Sequence, residues 1–167
     1  WSPGQSLESI SSTLVRDSVG IGSVAYIEQL YTFSSSHIPP FAITATYYAL
    51  VADYKVQKNN NWVRVDDLLK KSFVDASIVS YALQRLRWKI EYTNVAYSFL
   101  PGEFIFGELQ RVYEAILRRA LDKRNFRKKI FSLNILKDTG KKRTLGRARP
   151  AQLYAFKKHK VVFVEVL

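Results

Sequence analysis

The chain has 167 residues, a length that fits one large domain or two small ones, and 47% of them are hydrophobic, enough to bury a core. It contains no Cys, which excludes disulfides, a thiolate metal site and a cysteine nucleophile. No apolar run approaches the ~18 residues of a membrane span and no secretory signal is recognisable, so we expect a soluble, cytoplasmic protein.

The first half of the chain predicts one helix followed by strands. Ser6 is a suitable N-cap for a helix over residues 6–17, with Leu7, Ile10 and Leu14 on its core face. Strand propensity and turn residues then predict a strand over 26–33, a loop over 34–40, a buried strand over 43–54 and a short strand over 62–65.

The second half predicts the element order of a winged helix-turn-helix. Apolar spacing and breakers indicate a helix over 75–90, a short strand over 104–106, helices over 109–117 and 123–132, and strands over 135–137 and 153–156 joined by a basic segment, 138–149. Asp122 is the expected N-cap of the third helix, whose inward residues would be Phe126, Ile130 and Phe131. This order is typical of DNA-binding domains.

Charge is concentrated in the same half. Residues 1–100 carry a net charge of +1 and residues 101–167 a net charge of +11, which indicates a polyanionic partner. Arg and Asn can bind bases in the major groove, and basic residues of a wing can bind phosphates. The candidate DNA-binding residues are Lys123, Arg124, Asn125, Arg127 and Lys128 on the third helix and Lys141, Lys142, Arg143, Arg147 and Arg149 in the wing. A solvated basic face is the alternative.

Three segments carry a family resemblance: residues 108–117 (ELQRVYEAIL), 121–130 (LDKRNFRKKI) and 149–154 (RPAQLY). They resemble the C-terminal winged helix of the Nudix-related transcriptional regulators, which include regulators of NAD metabolism and of sugar catabolism. Residues 26–33 and 46–51 look like strands of that family's Nudix-like domain.

The resemblance implies an α+β protein with two domains. A partial Nudix-like α/β/α domain would occupy residues 1–73, with its N-terminal part missing from the sequence, and a winged helix-turn-helix domain would occupy residues 74–167.

Catalytic relatives carry a Nudix box whose glutamates hold Mg²⁺. Aligned on Gly20, that pattern places Gln5, Leu14 and Ser18 at glutamate positions and leaves one carboxylate, Asp17. The resemblance therefore predicts a protein that is not an enzyme, without catalytic residues, metal or cofactor.

A degenerate Nudix domain of this family binds an effector, which implies a repressor that senses ADP-ribose or a sugar or sugar phosphate. Candidate effector-binding residues are Tyr31, Phe33, Tyr47 and Tyr48, although aromatics at strand spacing are more often core. The resemblance further implies a homodimer on a double-stranded DNA operator, with no membrane partner.

Two other functions compete with this hypothesis. One is an active Nudix hydrolase of nucleoside diphosphate derivatives with an appended nucleic-acid-binding domain, which the residues at the glutamate positions disfavour. The other is an RNA-binding module, which the basic charge permits but the winged-helix order does not favour.

Overall fold

The structure, a computed structural model, describes residues 4–20, 24–35, 42–52, 62–70, 76–144, 146 and 149–167, with side chains except at 33–35 and 42. It divides into two compact units, Trp1–Ala82 and Leu83–Leu167. The domain boundary predicted after residue 73 stays a prediction. None of the helices in these ranges has the length and apolar character that crossing a membrane requires.

The first unit contains helices and one β-hairpin. Its elements are α1 (Leu7–Val19), β1 (Tyr26–Ser35), β2 (Ala42–Leu50), α2 (Val65–Lys70) and the start of α3 (Ala76–Tyr92). Strands β1 and β2 are antiparallel, and a bulge between Gln29 and Tyr31 shifts their register. This bulge changes which side chains share a face of the hairpin.

Local signals at the ends of α1 are confirmed, but its predicted core face is wrong. The Ser9 N–H donates to Ser6 Oγ over 3.1 Å, and Gly20 ends the helix at φ 68°. Leu7 and Leu14 are 54% and 61% exposed, because the described residues offer α1 little besides the hairpin to pack against.

Two predicted strands also differ from the structure. Residues 62–64 have no regular secondary structure and α2 begins at Val65, so the predicted strand over 62–65 is wrong. These residues have a high strand propensity, but no strand of the described chain lies beside them to pair with. Strand β2 ends at Leu50, before the end of the strand predicted over 43–54. Residues 53–54 of that prediction, residues 36–40 of the predicted loop, and Asp75 lie outside the described residues.

The second unit has the predicted winged-helix order. After the end of α3 come a 3-10 helix (Val95–Phe99), β3 (Phe104–Ile105), α4 (Phe106–Leu117), α5 (Lys123–Ser132), β4 (Leu136–Arg143) and β5 (Ala151–Phe156). The sheet is antiparallel in the order β3-β5-β4. The helices over 109–117 and 123–132 are confirmed.

A single apolar core joins these elements. Its most deeply buried side chains include Ile90, Val95, Phe104, Leu109, Tyr113, Phe126, Ile130, Phe156 and Val166. Phe126 and Ile130 are therefore inward as predicted. Phe131 is 39% exposed, because it lies on the flank of α5 and stacks on Phe106 instead of entering the core.

The first strand of the wing is longer, and the segment that joins the two wing strands is shorter, than the sequence predicted. Strand β4 continues to Arg143, so Lys141, Lys142 and Arg143 belong to a strand and not to the basic segment predicted between the strands. The strand passes Gly140 at φ 74° within a register shift between Asp138 and Lys142, which allows the ladder with β5 to resume.

The segment after β5 is fixed to the core by a buried amide. Asn94 donates through Nδ2 to the carbonyls of Lys158 (3.3 Å) and Lys160 (3.1 Å). Its Oδ1 accepts the Val162 N–H at 2.7 Å. Residues beyond the wing are thus integral to this unit.

Candidate nucleic-acid interface

The turn between α4 and α5 is fixed by a carboxylate. Glu114 Oε1 accepts the Leu121 N–H at 3.0 Å and the Gln110 side-chain amide at 2.9 Å. The backbone N–H of Leu121, followed by the Gln110 amide, lowers the pKa of Glu114 below its ordinary value. This turn sets the direction in which α5 leaves α4.

The N-terminus of α5 is capped as the sequence predicted. Asp122 accepts the Asn125 N–H at 2.7 Å, which starts the helix at Lys123. The cap therefore places the first polar residues of α5 at a defined helical position.

The outer face of α5 is basic and polar. Because Phe126 and Ile130 turn inward, Arg124 and Lys128, four residues apart, share the opposite face, with Asn125 beside them. Lys123, Arg124, Asn125, Arg127 and Lys128, all candidates from the sequence, are exposed. A helix presenting such side chains can enter the major groove of DNA.

Arg127 is exposed like the other candidate residues of α5, but it makes contacts within the domain. Its Nη2 donates to the Tyr154 hydroxyl at 3.0 Å, and its Cζ lies 4.8 Å from the centre of the Phe131 ring and 5.0 Å from that of Phe106. The guanidinium is thus engaged within the domain.

The wing residues fall into two groups. Lys141 is ion-paired with Glu103, and Arg143 with Glu108. Lys142 and Arg149 are exposed and have no ion pair within the described part of the chain. Arg147 lies outside the described residues. Sequence reasoning could not foresee the two ion pairs, since their carboxylates lie 35 or more residues away from the wing.

The four aromatic effector candidates are not on one surface. Tyr48 donates to Glu28 at 2.5 Å, and burial, followed by this hydrogen bond, raises its pKa. Tyr31 packs edge-on against Tyr81. Through the bulge, Tyr31 and Tyr48 share a face of the hairpin, whereas Tyr47 lies on the other face. The side chain of Phe33 lies outside the described residues.

The first unit also has a cleft that the sequence did not predict. It measures about 600 Å³ and lies between α1 and the start of β1, lined by Ser6, Glu8, Ser9, Ser12 and residues 24–27. None of the candidate tyrosines Tyr31, Tyr47 and Tyr48 lines this cleft.

The described residues hold no group of three His, Cys, Asp or Glu side chains that could bind a metal ion. Gln5, Leu14, Asp17 and Ser18 are exposed.

Comparison with known proteins matches this winged helix to a family. The model of the NrtR DNA-binding winged helix domain matches residues 96–156, which contain α4, α5 and both wing strands. A crystal structure of Shewanella oneidensis NrtR complexed with a 27mer DNA aligns with a TM-score of 0.79 and 29% identity, over 93% of this chain and 74% of that one. The chain is similar to NrtR over nearly its whole length. A second structure, of Shewanella oneidensis NrtR, gives a TM-score of 0.78 at 28% identity, over 92% and 74%.

The NrtR match extends to sequence relatives. An ADPR responsive transcriptional repressor, NtrR, of Acinetobacter baylyi is 30% identical over 162 residues, which are 91% of this chain. The chain spans 64% of the length of that relative. The resemblance to Nudix-related regulators and the fold of a Nudix-like domain followed by a winged helix are therefore confirmed.

Proposed function

We propose that the chain is a DNA-binding transcriptional repressor that releases its operator when its Nudix-like unit binds ADP-ribose, and that it is not a hydrolase. The observation that carries this proposal is the exposed row of Arg124, Asn125 and Lys128 on α5, within a domain that matches the NrtR winged helix.

The chemistry of α5 and the wing suits two kinds of DNA contact. Arg124 can bind guanine through two hydrogen bonds and Asn125 can do the same with adenine, so these side chains would select sequence. Lys142 and Arg149 are exposed and could neutralise phosphates, which would add affinity for any duplex. Lys141 and Arg143 would contribute less, because carboxylates already neutralise them.

The effector hypothesis draws on the relative that is described as ADPR responsive. Within the first unit, Tyr31 and Tyr48 share a face and could stack on an adenine or pack against a ribose; Tyr47 could not join them. The cleft beside α1 is large enough for a small metabolite. A sugar phosphate remains the second effector to test.

Repression by such a protein requires two winged helices on one operator. We infer a cytoplasmic homodimer whose half-sites lie about one helical turn, or a multiple of it, apart. An effector would act by favouring one arrangement of the two winged helices over the other.

The test uses the duplex that the whole chain enriches from a random pool, and a scrambled duplex of equal length. Fluorescence anisotropy should show tighter binding to the enriched duplex, and ADP-ribose should weaken it by about 5- to 150-fold. AMP and ribose 5-phosphate, the two parts of ADP-ribose, are the matched controls. Equal binding of both duplexes, or no effect of ADP-ribose, would contradict the proposal.

A further inference from the structure

We propose that Arg127 is a positioning residue that clamps the recognition helix to the wing, and that it does not itself contact DNA. This inference rests on the proposed function, because it assigns a role within DNA binding. It concerns the Arg127 clamp, defined as Arg127 with the rings of Phe106, Phe131 and Tyr154.

The clamp joins three elements of the winged helix. Phe106 begins α4, Phe131 lies near the end of α5, and Tyr154 lies in β5. The guanidinium carbon of Arg127 is 5.0, 4.8 and 5.8 Å from the three ring centres, respectively. One side chain therefore touches the two helices of the motif and the central strand of the wing sheet.

The rings would form a cluster even without the arginine. Phe106 and Phe131 are stacked, with centres 5.6 Å apart and planes at 21°, and Phe131 meets Tyr154 at 5.3 Å. Phe106 and Tyr154 are buried, while Phe131 is partly exposed. Arg127 covers the exposed side of this cluster with a planar cation, which suits aromatic faces.

Hydrogen bonding fixes the guanidinium in one orientation. Its Nη2 donates to the Tyr154 hydroxyl at 3.0 Å, a bond that ring contacts alone would not require. The bond to Tyr154 uses one of the five N–H donors of Arg127, and the three rings hold the guanidinium against the domain, so fewer donors remain for a base. Arg124, on the outer face of α5, makes no comparable contact in the described structure.

The Arg127 clamp would hold α5 and the wing at a fixed separation. Base contacts from Arg124 and phosphate contacts from Lys142 reinforce each other only if α5 and the wing keep a fixed separation. Without the clamp, the two sets of contacts would form less often together, and binding to the correct sequence would suffer more than binding to any sequence.

Three variants test the clamp in DNA binding. Arg127→Lys keeps the charge but loses the planar fork, and Tyr154→Phe removes one hydroxyl from a buried side chain. Each should weaken binding to the enriched duplex by about 3- to 10-fold. The slope of log Kd against log salt should not change. Lys142→Ala, the matched control, should weaken both duplexes alike and reduce the slope by about one unit.

The double variant adds a stricter requirement. If Arg127 and Tyr154 act together, Arg127→Lys combined with Tyr154→Phe should bind about as well as Arg127→Lys alone. A further variant, Arg127→Ala, should leave the salt slope unchanged. Wild-type affinity of Arg127→Lys for the enriched duplex, wild-type affinity of Tyr154→Phe, or a salt slope that Arg127→Ala reduces as much as Lys142→Ala would each overturn the inference.

A measurement on the unaltered protein does not depend on how the variants fold. The guanidinium carbon of Arg127 lies over aromatic rings, so the NMR signals of the adjoining δ-protons should be shifted upfield and should remain so when the enriched duplex is added. Random-coil shifts in the free protein, or loss of the upfield shift on binding DNA, would overturn the clamp. Failure of the wild-type chain to prefer any duplex would instead contradict the proposed function.

Discussion

Arg143, at the end of β4, is ion-paired with Glu108 in the first turn of α4. The same Glu108 oxygen accepts the backbone N–H of Ile105 at 2.9 Å, so one carboxylate both starts α4 and holds the wing strand. Arg143 was a candidate for DNA binding by sequence, and its pairing gives it a second role within the domain.

We expect Glu108→Ala to lower the free energy of unfolding by about 1–3 kcal/mol, since it removes a helix cap and leaves the partly buried Arg143 without its carboxylate. Urea unfolding followed by circular dichroism measures the change. Glu103→Ala is the matched control: it breaks the more exposed pair with Lys141 and should cost less than about 1 kcal/mol. Equal losses in the two variants would contradict the dual role of Glu108.

Substitution of the recognition residues should separate sequence discrimination from general affinity. Arg124→Ala or Asn125→Ala should each cost about 1–3 kcal/mol on the enriched duplex and relax discrimination at particular base pairs. Lys142→Ala should weaken all duplexes alike and reduce the salt dependence. Binding to a panel of single-base variants measures both effects. If both kinds of variant lost affinity equally for enriched and scrambled DNA, α5 would not be the helix that recognises the DNA sequence.

The Glu114 carboxylate should titrate below its ordinary range. Because its pKa is lowered in the folded chain, the bond to Leu121 contributes stability above the pKa of the unfolded carboxyl and loses it as pH falls through the lowered value. The Leu121 amide proton should report this directly, with an NMR shift whose midpoint lies below 4.5. In Glu114→Gln this titration should vanish. A midpoint at or above 4.5 would show that the carboxylate does not fix the turn.

Tyr113→Phe should stabilise the protein. The Tyr113 hydroxyl is fully buried and has no hydrogen-bond partner among the described residues, and burial raises its pKa. Removing an unsatisfied buried hydroxyl should raise the free energy of unfolding by about 1 kcal/mol. Tyr154→Phe, whose hydroxyl is bonded to Arg127, should not stabilise. A destabilised Tyr113→Phe would mean that the hydroxyl has a partner.

The chain should not hydrolyse ADP-ribose. Gln5, Leu14 and Ser18 at the expected glutamate positions cannot replace carboxylates as Mg²⁺ ligands, and Asp17 alone cannot hold the metal for this reaction. Incubation with Mg²⁺ and ADP-ribose should release no AMP above a protein-free control. Turnover on the order of 1 per second or faster would restore the hydrolase hypothesis.

The features that the sequence predicted most accurately are those determined by residues close together in the chain. The caps at Ser6 and Asp122 were predictable because a short polar side chain bonds to an N–H three residues away. The second unit was predictable because its apolar stripes are regular and its family motifs are specific. Both features depend on short stretches of sequence.

Long-range geometry escaped prediction. The bulge after Gln29 places Tyr31 on the same face of the hairpin as Tyr48, whereas Tyr47 lies on the other face because neighbouring side chains of a strand alternate. Nothing in the spacing of Arg127 and Tyr154, 27 residues apart, distinguishes the clamp from a free DNA-binding arginine. The strand predicted over 62–65 failed because β-propensity does not supply a neighbouring strand.

The hydrogen bonds of Asn94 determine how far this winged helix can be truncated at its C-terminus. The family match ends at residue 156, yet all three hydrogen-bond partners of the Asn94 side chain, at 158, 160 and 162, come later. Truncation after Phe156 would leave a buried amide unsatisfied and would remove Val166 from the core, so the shortened domain would tend to unfold. The smallest piece that folds should therefore extend to Val166, ten residues past the matched segment.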